Sequence, residues 1–122
     1  MPMYTAITQE GFLSSETKAR IAQDITRIHC DIMRVPQKFV RVVFLSYPQG
    51  SGFTAGQEAP TACLNCVFRA GHTAEEKIEL LQQLWSMFQE LTGVGTDQLA
   101  LSLQEIPSQN AMELGQIMKP VG

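Results

Sequence analysis

The order of elements in this 122-residue chain reads as one unit stated twice, and that doubling constrains the fold more than any other feature. Met3 to Thr8 is rich in strand formers and stops near Gly11. Ser14-Ser15-Glu16 offers a helix cap followed by an early acid. Ile21, Ile25, Ile28 and Ile32 then recur at spacings of four, three and four, which is one apolar stripe of a helix. Pro36 ends that helix, and Phe39 to Tyr47 is predicted as a buried strand. A loop from Pro48 to Pro60 follows, punctuated by Gly50, Gly52 and Gly56. The second unit opens with a strand over Thr61 to Arg69. Thr73-Ala74-Glu75-Glu76 matches a capping box. The next helix carries Leu80, Leu81, Leu84, Trp85, Phe88 and Leu91 on one side and closes at Gly93 and Gly95. Gln98 to Ile106 alternates as a strand, with Pro107 as its stop. A short helix over Ser108 to Ile117 is expected next, with the tail running out at Pro120.

A helix of this length between two strands is a crossover, and crossovers join parallel strands. The expected fold is therefore α/β (α+β): two consecutive β-α-β units form one four-stranded sheet in a single domain, residues 1–122. Both helices cover one sheet face, which leaves the other bare. Apolar side chains there need a cover, and self-association supplies it, so a homo-oligomer is expected.

Composition narrows the function. The hydrophobic fraction is 44%, the charged fraction 17% and the net charge −3. This acidic balance, with no Lys/Arg-rich run, predicts no nucleic-acid partner. No apolar run reaches the ~18–20 residues that span a membrane, and no secretory leader is expected at residues 1–13. Cys30, Cys63 and Cys66 are three thiols, an odd number that favours a reducing, cytoplasmic setting over a disulfide framework. Cys63-Leu-Asn-Cys66 has a metal-like spacing. In a strand, however, that odd spacing sends the two side chains to opposite faces, and no further ligands stand nearby, so no metal or other cofactor is expected.

Pro2 directly follows Met1. A small second residue permits removal of the first, after which the chain would begin with a secondary amine. Such an amine is a general base when neutral and a general acid when charged. Burial or a nearby cation lowers its pKa and favours the base.

A doubled β-α-β chain that starts Met-Pro resembles the tautomerase superfamily. Four strings carry the likeness further: Met1 to Tyr4, Ile25 to His29, Phe68 to Thr73, and Glu105 to Gly115. They are similar to the cis-3-chloroacrylic acid dehalogenase group over nearly the whole chain. The resemblance implies a tautomerase/MIF-like homotrimer with an amino-terminal proline in each active site. It implies Pro2 as the catalytic proline and Glu113 as the acid that activates water. It also implies His29 and Arg69 as ligands of a small-molecule carboxylate substrate. Two positions depart from the group's pattern: His72 stands in place of a second arginine, and Ser102 in place of a tyrosine.

These departures shift the expected chemistry. Arginine grips a carboxylate through a bidentate fork, which histidine cannot do. The serine hydroxyl sits on a far shorter side chain than the tyrosine's. Hydration of a haloacrylate needs that full set, so dehalogenation is expected to be weak. Tautomerisation asks for less: one base that moves a proton and one cation that steadies the developing enolate. The expected function is a cofactor-independent tautomerase acting on small unsaturated or enol carboxylates. The alternative is a binding or signalling protein that keeps the fold without catalysis.

Each site residue also has a plain structural reading. His29 would be a packed helix residue, Arg69 a solvated strand-end charge, and His72 a residue before a helix cap. Glu113 would be a surface charge and Ser102 an idle hydroxyl. Trp85, Phe88 and Leu91 are core. The Pro48–Pro60 loop is expected either to cover the pocket or to touch a neighbouring subunit.

Overall fold

The computed structural model describes residues 1–119, so the expected end of the tail at Pro120 lies outside the described residues. The main sheet has four strands: β1 (Met3–Gln9), β2 (Arg41–Tyr47), β5 (Ala62–Arg69) and β6 (Leu99–Ile106). Their spatial order is β2-β1-β5-β6. β1 and β2 are parallel, as are β5 and β6, while β1 and β5 meet antiparallel at the centre. The crossovers are α1 (Ser15–Met33) and α2 (Ala74–Thr92), which pack on each other as well as on the sheet. The doubled β-α-β reading is thus the observed architecture.

Local chemistry explains the helix ends. Ser14 Oγ accepts from the Thr17 amide at 3.1 Å, and α1 closes where Arg34 turns left-handed at φ 56°. Thr73 and Glu76 exchange hydrogen bonds in a complete capping box, and Gly93 takes φ 72° at the end of α2.

One sheet face is dry. Tyr4, Ala6, Leu64, Cys66 and Phe68 point to the helices and meet Ile21, Ile25, Leu80, Leu84 and Phe88. The opposite face carries Met3, Val43, Ile7 and Leu45 with no helix over them. Val43 is 43% and Leu45 52% exposed, so β2 is not the buried strand that its apolar run predicted. Its composition suits two covered faces, and within one chain only one is covered. β2 also starts later than expected, because Gln37–Phe39 forms a single 3-10 turn.

Two segments differ from expectation. The Pro48–Pro60 loop contains a small hairpin, β3 (Phe53–Thr54) and β4 (Gln57–Glu58), turned by Ala55 and Gly56, both at positive φ. It follows the far end of β2, and Thr54 Oγ1 donates to Gln98 at 2.8 Å. Pro2 precedes β1 at the other end of the sheet, ~20 Å away by strand rise. The hairpin therefore does not cover the Pro2 end of its own chain.

The short helix expected over Ser108–Ile117 is instead a 3-10 turn at Ser108–Asn110 followed by β7 (Met112–Glu113) and β8 (Gln116–Ile117). Leu114 and Gly115 turn this hairpin at φ 53° and 76°. Positive φ at both central residues marks the primed turn that suits a two-residue hairpin, and it interrupts any helical path.

The core makes a direct prediction. Ile25 is fully buried, whereas Ile78 is exposed. Ile25→Ala should cost about 2–5 kcal/mol in chemical denaturation at fixed protein concentration, and Ile78→Ala less than about 0.5.

Candidate active site

The register of the central strands gathers most of the candidate residues at one sheet end. Met3 pairs with Val67 on β5 and with Arg41 on β2. Extending the antiparallel register by two residues sets Met1 opposite Arg69. The Arg41 amide donates to the Pro2 carbonyl at 3.1 Å. The amino end of the chain thus lies between two arginine-bearing strand ends. β6 finishes beside Arg69, and the β7–β8 hairpin that follows brings Glu113 back to the same place.

Glu113 is the acid of the cluster. Its side chain is 8% exposed and forms an ion pair with the Met1 amino group. Arg41 Nε lies 4.0 Å from its other oxygen. Arg69, Glu113, Phe39, Leu114 and Ile117 line an open depression of about 300 Å³. Arg69 Nη1 also donates to the Lys119 carbonyl.

The charges tune the amine. Its pKa is lowered from 8.0 to about 6, chiefly because burial disfavours the ammonium, with Arg69 and then Arg41 adding repulsion. With Met1 in place, Pro2 nitrogen is an amide and Pro2 itself is buried.

Both histidine side chains are withdrawn from solvent. His29 lies within the buried stripe of α1 and is 1% exposed. Its Nδ1 is 2.8 Å from the Tyr4 hydroxyl. Burial lowers its pKa to about 3, and His72 and the amino terminus add smaller repulsions. The His72 side chain is 3% exposed, with Nδ1 3.9 Å from Glu76 and no hydrogen-bond partner among the described residues. Burial lowers its pKa too, against the opposing pull of Glu76. The Phe68 ring touches both, with centroids 6.5 Å from His29 and 5.6 Å from His72.

Pro2, His29, Arg69, His72 and Glu113 therefore share one end of the sheet. Ser102 does not join them. It lies in the middle of β6 on the bare face, beyond β5 from β1, and donates to Asn65 at 2.6 Å. Cys63 and Cys66 face opposite sides of β5, as their spacing predicted, and do not converge. Two site neighbours were missed in the sequence. Arg41 opens an otherwise apolar strand, a signal that a register argument could have used. Tyr4 looked like an ordinary strand aromatic.

Among the described residues no helix is long and apolar enough to cross a membrane. Comparison with curated proteins finds no match. Among solved structures, N1, a member of the cis-3-chloroacrylic acid dehalogenase (cis-CaaD) family, is similar at 30% identity and TM-score 0.93. That match covers 98% of this chain and 85% of N1. Pt0534, solved after inactivation by 2-oxo-3-pentynoate, is similar at 26% identity and TM-score 0.87, covering 95% of this chain and 94% of Pt0534. A fused 4-OT, described as a symmetric trimer, shares the fold at 19% identity and TM-score 0.86, with 95% and 94% covered. Residues 1–100 match the family described as putative oxalocrotonate tautomerase enzyme. With the fold and these matches together, the chain belongs to the tautomerase superfamily, in the putative oxalocrotonate tautomerase family, with relatives of the cis-CaaD kind.

Proposed function

We propose that the chain, trimmed of Met1, is a cofactor-independent tautomerase that uses the Pro2 secondary amine on small enol or unsaturated carboxylates. The observation that carries this reading is the setting of the amino end: partly buried, between Arg69 and Arg41, where the Met1 amine is lowered to about 6 by burial and by those two cations. Burial and the same two cations would favour the neutral form of the Pro2 amine, which can take a proton beside a carbonyl, then return it elsewhere. Arg69 binds the substrate carboxylate and draws charge from the reacting carbons. His29, neutral at any working pH, serves as a hydrogen-bonding group and not as a cation. His72 lines the carboxylate end. Glu113 balances the charged form of Pro2 and can hold a water, which allows a weak hydratase reaction.

The oligomer belongs to this reading. The bare sheet face with Met3, Val43 and Leu45 supports a homotrimer like that of the fused 4-OT. In such an assembly Ser102 and the β3–β4 hairpin would serve a neighbour's site. Three free thiols support a reducing, cytoplasmic setting.

Ketonisation of an enol acid such as phenylenolpyruvate tests the proposal. Protein that retains Met1 should lose at least ~100-fold in kcat/KM relative to trimmed protein, because its proline nitrogen is an amide. Equal turnover in both forms would refute the role of Pro2. No turnover in either would favour the non-catalytic binding alternative.

The pH profile follows from the sign of the shift. The base form is lost as pH falls, so kcat/KM should decline on the acid side through a pKa well below that of an ordinary amine. Arg69→Ala removes a repelling cation, so it should move that limb to higher pH. It should also raise KM for carboxylate substrates while sparing an uncharged carbonyl compound. An unmoved limb and equal losses on both substrate types would count against Arg69.

A further inference from the structure

Tyr4 and His29 form a buried polar pair that the proposed proton transfer does not itself use. Tyr4 is the second residue of β1, and His29 faces it from α1. The hydroxyl lies 2.8 Å from Nδ1, and the rings meet edge to face at 5.6 Å and 87°. Both side chains are almost fully buried, so the orientation of this hydrogen bond fixes which ring nitrogen carries the proton.

The direction of donation follows from the chemistry of the neighbours. Burial keeps the imidazole neutral, with one proton shared between two nitrogens. Burial likewise raises the Tyr4 pKa and keeps it a phenol. Burial pushes the neighbouring Cys66 thiol up to about 12, so it stays protonated. Sulfur is a weak acceptor, whereas an unprotonated imidazole nitrogen is a good one. The phenol proton therefore goes to Nδ1, which leaves the ring proton on Nε2. The smaller influences on the ring come from His72 and the amino terminus, both at the candidate site.

We infer that Tyr4 is a positioning residue: its hydroxyl fixes His29 as the Nε2–H tautomer and so makes a buried histidine a fixed hydrogen-bond donor to substrate oxygen. The catalytic part of this inference rests on the tautomerase reading above; the tautomer part does not. The helix alone cannot set the tautomer, since among the described residues Tyr4 is the hydrogen-bond partner of His29 Nδ1 and no other side chain takes its place.

Nitrogen-15 NMR of the histidine side chains tests it in the unaltered protein. His29 should show an unprotonated Nδ1 and a protonated Nε2 throughout the neutral pH range. A protonated Nδ1 would overturn the inference, whatever the protein catalyses. Tyr4→Phe should shift His29 towards a mixture of tautomers and lower kcat/KM for ketonisation about five- to tenfold, mostly in kcat. In a His29→Ala background the same change should have no further kinetic effect. A folded Tyr4→Phe protein with unchanged His29 nitrogen signals would also overturn it. Unaltered protein that shows the expected tautomer but no turnover would sink the tautomerase reading and leave the pairing intact.

Discussion

The antiparallel register between β1 and β5, with Met3 against Val67 and Ile7 against Cys63, fixes where the chain begins. Had these central strands run parallel, the amino end would lie beside the start of β5, far from Arg69. The antiparallel pairing instead puts the first residues beside the last residues of β5. The parallel pairing of β1 with β2 then adds Arg41 from the other side. Each half of the fold thus contributes one arginine to the same amine, although the two lie 28 residues apart in the chain.

The same end of the sheet combines burial with unbalanced charge. Desolvation and two guanidinium groups act against an ammonium, and Glu113 is ion-paired with the same amino group. A carboxylate that is itself largely withdrawn from water is costly unless it has charge partners, and here it has the amino group and Arg41. The histidines behave differently from what their isolated positions imply. Both lie against Phe68 and burial lowers the pKa of both, so the permanent positive charges at this end are those of Arg69 and Arg41. His72 thus adds no permanent charge to this end of the sheet, only a polar aromatic ring.

Much of the fold was legible because its signals are local. The Ile21-Ile25-Ile28-Ile32 stripe, the Thr73–Glu76 box and the alternation of Leu99, Leu101 and Leu103 each reflect one element's own geometry. The final hairpin was not legible, because Leu114 takes a left-handed conformation that leucine rarely adopts and that tertiary packing must impose. The extent of β2 exposure was hidden for a related reason: its residues are composed for a covered face that a single chain does not contain. In the site, Pro2, Arg69 and Glu113 were named from pattern and resemblance, and the structure brings them to one place. Arg41 and Tyr4 were missed because their relevance depends on strand register and on a cross-element hydrogen bond; a charge opening the apolar run of β2 hints at the first, and nothing in the sequence marks the second. Ser102 was named with the others, yet within one chain it stands on the bare face.

The central claim is that Pro2 nitrogen, freed by removal of Met1, is the reactive amine of this site. An acetylenic 2-oxo acid such as 2-oxo-3-pentynoate, the compound that inactivated Pt0534, carries a carboxylate for the arginines and an alkyne that an amine can add to. The measurement is mass-spectrometric mapping of trimmed protein after exposure to it. The account predicts a single adduct on the Pro2 peptide, lost in Pro2→Ala and in protein that keeps Met1. Labelling confined to a cysteine or lysine, or unchanged in Pro2→Ala, would contradict it.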